Sequence, residues 1–169
     1  RKAIAKKRIK EIADELIKIA ASRQTAKTKP LEFPSDEYDQ FCSRFSFTPT
    51  EDQFNAIRDV ESDLKSGKLM DRLICGDVGY GKTEIALRAS FMASMAGFQV
   101  ALIAPTTLLV KQHVKNFKER FRGFPIKINE LSRFITANQS AAVKNEIQTG
   151  ETQIIIGTHS LLSKKIEFN

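Results

Sequence analysis

A chain of 169 residues, 41% apolar and 28% charged, has the composition of one globular domain, which excludes disordered and collagen-like chains. No apolar run approaches the ~20 residues of a membrane-spanning helix and no signal peptide is visible, so neither a membrane role nor secretion is expected. The net charge of +7 is localised: residues 1–29 hold ten Lys/Arg against three Asp/Glu, and residues 30–169 hold seventeen of each. Bulk charge therefore does not mark the globular part as a nucleic-acid binder, and any such contact there must come from placed residues. Cys42 and Cys75 lack metal-ligand spacing, and His113 and His159 are too few for a zinc site. The expectation is a reduced, cytoplasmic protein without a structural metal.

Residues 1–24 read as one helix. Ala5, Ile9, Ile12, Leu16 and Ile19 are spaced 4-3-4-3, a narrow apolar stripe, and Arg1, Lys2, Lys6, Lys7, Arg8 and Lys10 crowd the first turns. Such a helix can connect to another region, dock on its own domain, or touch DNA through a face that is more often simply solvated. Residues 25–34 form a polar linker broken by Pro30 and Pro34. The basic connecting segment is assigned to residues 1–29 and the globular lobe to residues 30–169. Because the first residue is Arg1 rather than Met, the sequence reads as part of something longer. Ser35 is expected to cap a short helix with Asp36 and Glu37 in its first turn. Phe45, Phe47 and Pro49 mark an irregular stretch, and Thr50 to about Ser66 reads as a helix ended by Gly67.

From Met70 onward, short apolar runs alternate with helical patterns. The runs Leu73–Cys75, Val100–Ala104, Ile126–Ile128 and Ile154–Ile156 are expected strands, with Cys75 buried at the end of the first; the helices fall near 82–96, 107–121 and 138–148. This alternation implies right-handed βαβ units and a parallel sheet with helices on both faces, an α/β fold.

Between the first run and the first of those helices lies Gly76-Asp77-Val78-Gly79-Tyr80-Gly81-Lys82-Thr83, the pattern G-x-x-x-x-G-K-T. Gly76, Gly79 and Gly81 allow positive φ, so the loop can turn its backbone N–H groups toward a polyphosphate at a helix N-terminus. Lys82 and Thr83 are the candidate catalytic residues: Lys82 for the β- and γ-phosphates, Thr83 as the Mg²⁺ ligand. A glycine-rich turn with a chance Gly-Lys-Thr is the bland reading, and the strand–loop–helix order argues against it. The ligand expected is a nucleoside triphosphate.

Other segments fall at comparable positions. Phe47-x-x-Thr50-x-x-Gln53 resembles the helicase Q motif, in which a glutamine reads adenine; Thr50 with Gln53 is equally a capping box, and both can hold together. Ala104-Pro105-Thr106-Thr107 resembles helicase motif Ia, where Thr106 and Thr107 could hold a DNA phosphate or merely cap a helix. Ser132-Arg133-Phe134 and Gly157-Thr158-His159 follow the third and fourth runs, at strand ends where ligands bind. Arg133 is the best isolated cation for a phosphate, and Thr158 and His159, which resemble the Gly-Thr-His of helicase motif Ib, are candidate DNA contacts beside it. MDRLICGDVGYGKTE, APTTLLVKQH, NELSRF and IIIGTHSLL, in that order, resemble the transcription-repair coupling factor (Mfd) family of superfamily 2 translocases over most of residues 31–169, and residues 12–17 resemble its leading helix. The resemblance implies a partial RecA-like P-loop NTPase lobe using ATP and Mg²⁺. It also implies double-stranded DNA as partner, with RNA polymerase and excision-repair proteins engaged through modules not in this sequence.

Tyr80 departs from the phenylalanine usual in that family. The larger departure is the lack of an Asp-Glu box after a further strand and of a second lobe with an arginine finger; the sequence stops at Asn169, before that strand is due. This segment is therefore expected to bind nucleotide without hydrolysing it. Two rivals are a RecG-like branch-migration helicase and a P-loop small-molecule kinase. The kinase reading leaves Pro105-Thr106-Thr107 and Gly157-Thr158-His159 unexplained.

Overall fold

The computed structural model describes residues 2–163 and 165–169. Arg1, and the side chains of Lys2 and Ala5 in the expected basic cluster and stripe, lie outside the described residues. Helix α1 spans Lys2–Thr25. Its apolar stripe is not docked: Ile9 is 67% exposed, and Ile12, Leu16 and Ile19 are also exposed. Only the final turns approach the lobe, where Leu16 and Ile19 share a shallow cleft with Leu69 and Met70, and Arg23 pairs with Asp71. The following linker is tied down sooner than its composition suggests. Thr28 N–H donates to the Gly67 carbonyl at 3.0 Å and Leu31 N–H to that of Leu64 at 3.1 Å, with Leu31 buried.

Helix α2 covers Ser35–Ser43, but its N-cap is Pro34 and Ser35 is the first helical residue, so the expected serine cap is absent. Asp36 and Glu37 still complement the exposed N–H groups of the first turn. Helix α3, Glu51–Lys65, opens with a complete capping box between Thr50 and Gln53. Gly67, at φ 69°, carries the chain out of it.

The remaining elements are α4 (Lys82–Met95), β1 (Val100–Ile103), α5 (Thr107–Arg120), β2 (Ile128–Leu131), α6 (Ala137–Gln148), β3 (Ile154–Gly157) and a short 3₁₀ turn, His159–Leu162. The sheet is parallel, in the order β1-β3-β2, with Val100 and Ile128 both opposite Ile154. β3, flanked on both sides, is buried along its whole length, as a central parallel strand must be. Its alternation divides the core. Ile154 and Ile156 join Phe41, Phe91, Val110 and Phe117 on one face, while Ile155 joins Leu131, Ile147 and Leu161 on the other.

Two strand expectations are corrected. Residues 73–75 lie outside the sheet: Leu73 is 85% exposed and Cys75 is exposed rather than buried. A strand exists only through a paired neighbour, and this run finds none among the described residues. Ile74 alone packs inward, against the cluster of Ile57, Val60, Ile85 and Met92 on α3 and α4. The third strand is displaced to 128–131, where its polar Asn129 is satisfied across the fold: the Asn129 amide donates to Glu146 Oε2 at 2.6 Å and to Thr152 Oγ1 at 2.7 Å. Both cysteines are free; Cys42 is half-buried, and burial pushes its thiol pKa up.

Candidate nucleotide site and anion cleft

The loop from Gly76 to Gly81 turns through an N–H···O bond from Tyr80 to Asp77 at 3.2 Å and enters α4 at Lys82, with Gly81 as N-cap. Gly79 and Gly81 have φ of 84° and 71°, whereas Gly76 does not take positive φ. The need for glycine at 76 is steric instead, since a Cβ there would stand 3.1 Å from the Tyr80 ring. At Gly81 both reasons apply: a Cβ would meet Gln53 Nε2 at 2.7 Å. Lys82 Nζ donates to the carbonyls of Gly76 at 2.5 Å and Asp77 at 2.6 Å, folding its ammonium across the loop. Asp77 and Val78 are exposed at the crest.

Gln53 joins this loop to α3. Its Oε1 accepts from Thr50 N–H at 2.9 Å, and its Nε2 donates to the Tyr80 carbonyl at 2.6 Å. A primary amide has two donors and two lone pairs, so one of each is left over for a ligand. The Tyr80 hydroxyl donates to Asp52 Oδ2 at 2.9 Å and lies 3.2 Å from Thr50 Oγ1. Together these bonds fasten the loop to the first turn of α3.

Beside the loop is a cavity of about 400 Å³ whose walls include Gly81, Thr83, Phe45, Glu84 and Arg120. Phe47 does not line it: its ring is 74% exposed and leans edge-on against Phe45 at 5.7 Å. Under this cavity, Glu84, only 6% exposed, places one carboxylate oxygen 2.8 Å from Arg88 Nε and 2.7 Å from Arg120 Nη2. Arg120 also donates to the Phe41 carbonyl at 2.7 Å and stands over the Phe41 ring at 4.5 Å. Sequence reasoning missed Phe45, Glu84 and Arg120. The one local signal was Glu84 four residues before Arg88, the spacing of a helical ion pair.

A second cavity, about 600 Å³, lies at the carboxyl ends of the strands. Thr106 and Thr107 reach it after β1, Arg133 after β2, and Thr158 and His159 after β3, so all five residues singled out for an anion come together. Parallel strands bring their following loops to one edge, which is why residues distant in sequence meet here. Thr106 is also the cap of α5, its Oγ1 accepting from Leu109 N–H at 3.2 Å. The Arg133 guanidinium is exposed, 5.5 Å from the Phe134 ring.

Residues 50–168 match the profile of the DEAD/DEAH box helicases. The chain is 52% identical over 171 residues to the transcription-repair-coupling factor of Rickettsia conorii, an alignment covering 99% of this chain and 15% of that protein. It is 50% identical over 166 residues to that of Borreliella burgdorferi, covering 97% of this chain and 15% of the relative. The solved structure of RecG bound to a three-way DNA junction is similar at TM-score 0.82 and 32% identity, over 89% of this chain and 21% of that one. The chain thus spans about 15% of the length of the curated relatives it matches.

Proposed function

This chain belongs to the DEAD/DEAH box helicase family, and from that premise we propose that it is the nucleotide-binding part of an ATP-dependent double-stranded DNA translocase that couples transcription to repair. The whole protein would act in the cytoplasm, displacing stalled RNA polymerase and recruiting excision-repair proteins through parts outside this chain. The observation that carries the reading is the phosphate loop at the start of α4, within a chain 52% identical along 99% of its length to a transcription-repair-coupling factor. A RecG-like branch-migration helicase is the second reading; the RecG likeness favours it, at a lower identity of 32%.

The loop fits a magnesium–nucleotide complex. Its backbone N–H groups between Gly76 and Gly81, other than that of Tyr80, would hold the phosphates, and Lys82 would exchange its two carbonyl partners for phosphate oxygens. Thr83 would hold Mg²⁺, whose chemistry is to neutralise charge on the β- and γ-phosphate oxygens. Gln53 would offer its remaining donor and lone pair to adenine while keeping α3 capped. Thr106, Thr107, Arg133, Thr158 and His159 would hold DNA phosphates without reading sequence.

Titration with a fluorescent ATP analogue and Mg²⁺ tests the nucleotide site. Lys82→Ala removes a charge-assisted bond worth about 1.5–3 kcal/mol and should weaken binding roughly tenfold or more. Equal affinity of the variant and the parent chain would sink the assignment.

Duplex DNA should report two separate contributions. Each phosphate engaged by Lys or Arg adds about 0.9 to the slope of log affinity against log salt. Deleting residues 1–29, which carry the whole excess of positive charge, should remove most of that slope. Arg133→Ala should then weaken the residual binding equally for unrelated sequences. A steep slope retained after truncation would show that the lobe carries a larger basic surface.

A further inference from the structure

The cleft at the strand ends has a second wall that the strand-end loops do not supply. Ser140 and Lys144 face it from α6, four residues apart and so on one side of that helix, and Lys165 closes it beyond the 3₁₀ turn. Lys144 and Lys165 form no ion pair among the described residues, and none of the described lining residues is acidic. Two carboxylates lie close by but outside the lining. Glu130 accepts from the hydroxyl of Ser132, which does line the cleft, and Glu167 accepts from the Gln148 amide at 3.0 Å in an adjoining cleft that Lys144 and Lys165 also border. With Arg133, the cleft therefore holds three cations that its own walls leave unneutralised.

We propose that Ser140, Lys144 and Lys165 form a second phosphodiester site, so that a DNA backbone runs across the carboxyl edge of the sheet from the start of α5 to α6. The proposal rests on the reading of the strand-end loops as phosphate contacts and extends it to a wall outside those motifs. The chemistry points to backbone rather than bases. Two ammonium groups are compact point charges suited to phosphate oxygens, and the serine hydroxyl can donate to a third. No planar amide, carboxylate or guanidinium on this wall offers the bidentate geometry most used to read a base edge. The cleft, at about 600 Å³, has room for more than one phosphate group. Each strand of a duplex places a phosphate for every ~3.4 Å of helix axis, so neighbouring groups can engage the two walls together.

The test is amide chemical-shift mapping of the ¹⁵N-labelled 169-residue chain with a short duplex, beside salt-dependent affinities of Lys144→Ala and Lys165→Ala. The expected result is shifts at Ser140, Lys144 and Lys165 together with Thr106, Thr107, Arg133 and Thr158. Each variant should lower the salt slope by about 0.9 while leaving affinity for the ATP analogue unchanged. Shifts confined to the strand-end loops, with both slopes unaltered, would overturn the second site and leave the first intact. Absence of shifts from the whole cleft would overturn both. Inorganic pyrophosphate producing the same shifts at the same concentrations would also overturn the proposal, identifying a small-anion pocket in place of a backbone track.

Discussion

Glu84→Ala should lower the unfolding free energy by about 3–5 kcal/mol, a large share of the 5–15 kcal/mol typical of a whole domain. The carboxylate is buried at the first turn of α4, and Arg88 and Arg120 both point at the same oxygen. Removing it leaves two largely buried guanidinium groups facing each other with no anion between them. The aromatic rings beneath them, Phe41 at 4.5 Å from Arg120 and Phe45 at 6.0 Å from Arg88, attract a cation but do not replace an anion. At roughly 2–4 °C per kcal/mol for a chain of this size, the melting temperature should fall by about 6–20 °C. Glu84→Gln keeps an acceptor and should cost less. A triple replacement, Glu84→Leu with Arg88→Met and Arg120→Met, should recover most of the loss, because a buried ion cluster is often no more stable than its apolar counterpart. Calorimetry of the three variants checks this. Glu84→Ala melting within 2 °C of the parent would show that the cluster is solvated and stabilises little.

That cluster also shows where sequence reading ends. Glu84 and Arg120 are 36 positions apart, and no periodicity connects them. The phosphate loop was legible because its requirements are local: two glycines at positive φ, then a lysine and a threonine opening a helix. The capping threonines at 50 and 106 were legible for the same reason. The gathering of Thr106, Arg133 and Thr158 was legible through topology, since parallel strands align their carboxyl ends. What failed were inferences that needed a distant partner. Leu73–Cys75 has the apolar character of a strand, but apolarity specifies burial, and pairing depends on another segment of chain. Asn129 and Glu130 look unsuited to a strand until Glu146 and Thr152 are brought beside Asn129. The apolar stripe of α1 likewise predicts a covering surface, and within this chain the stripe remains exposed.

Phosphate release by this chain with ATP and Mg²⁺ should be no faster than that of its Lys82→Ala variant, even at saturating nucleotide. Turnover needs a carboxylate free to orient the attacking water and a cation free to meet the charge of the transition state. Near the loop most candidates are already engaged. Glu84 is held by two arginines, Asp52 accepts from the Tyr80 hydroxyl, and Asp77 stands exposed on the crest of the loop. Among the arginines, Arg88 and Arg120 are paired with Glu84, and Arg44 donates to the carbonyls of Arg120 at 3.2 Å and Arg122 at 2.5 Å. An arginine finger alone is worth about 10³–10⁵ in rate, so its loss separates binding from hydrolysis cleanly. A single-turnover assay with excess protein removes product release from consideration and reads the chemical step directly. Release clearly above the Lys82→Ala control would mean that a carboxylate beside the loop, with Asp77 the first to test by Asp77→Asn, serves as base without help from a second lobe.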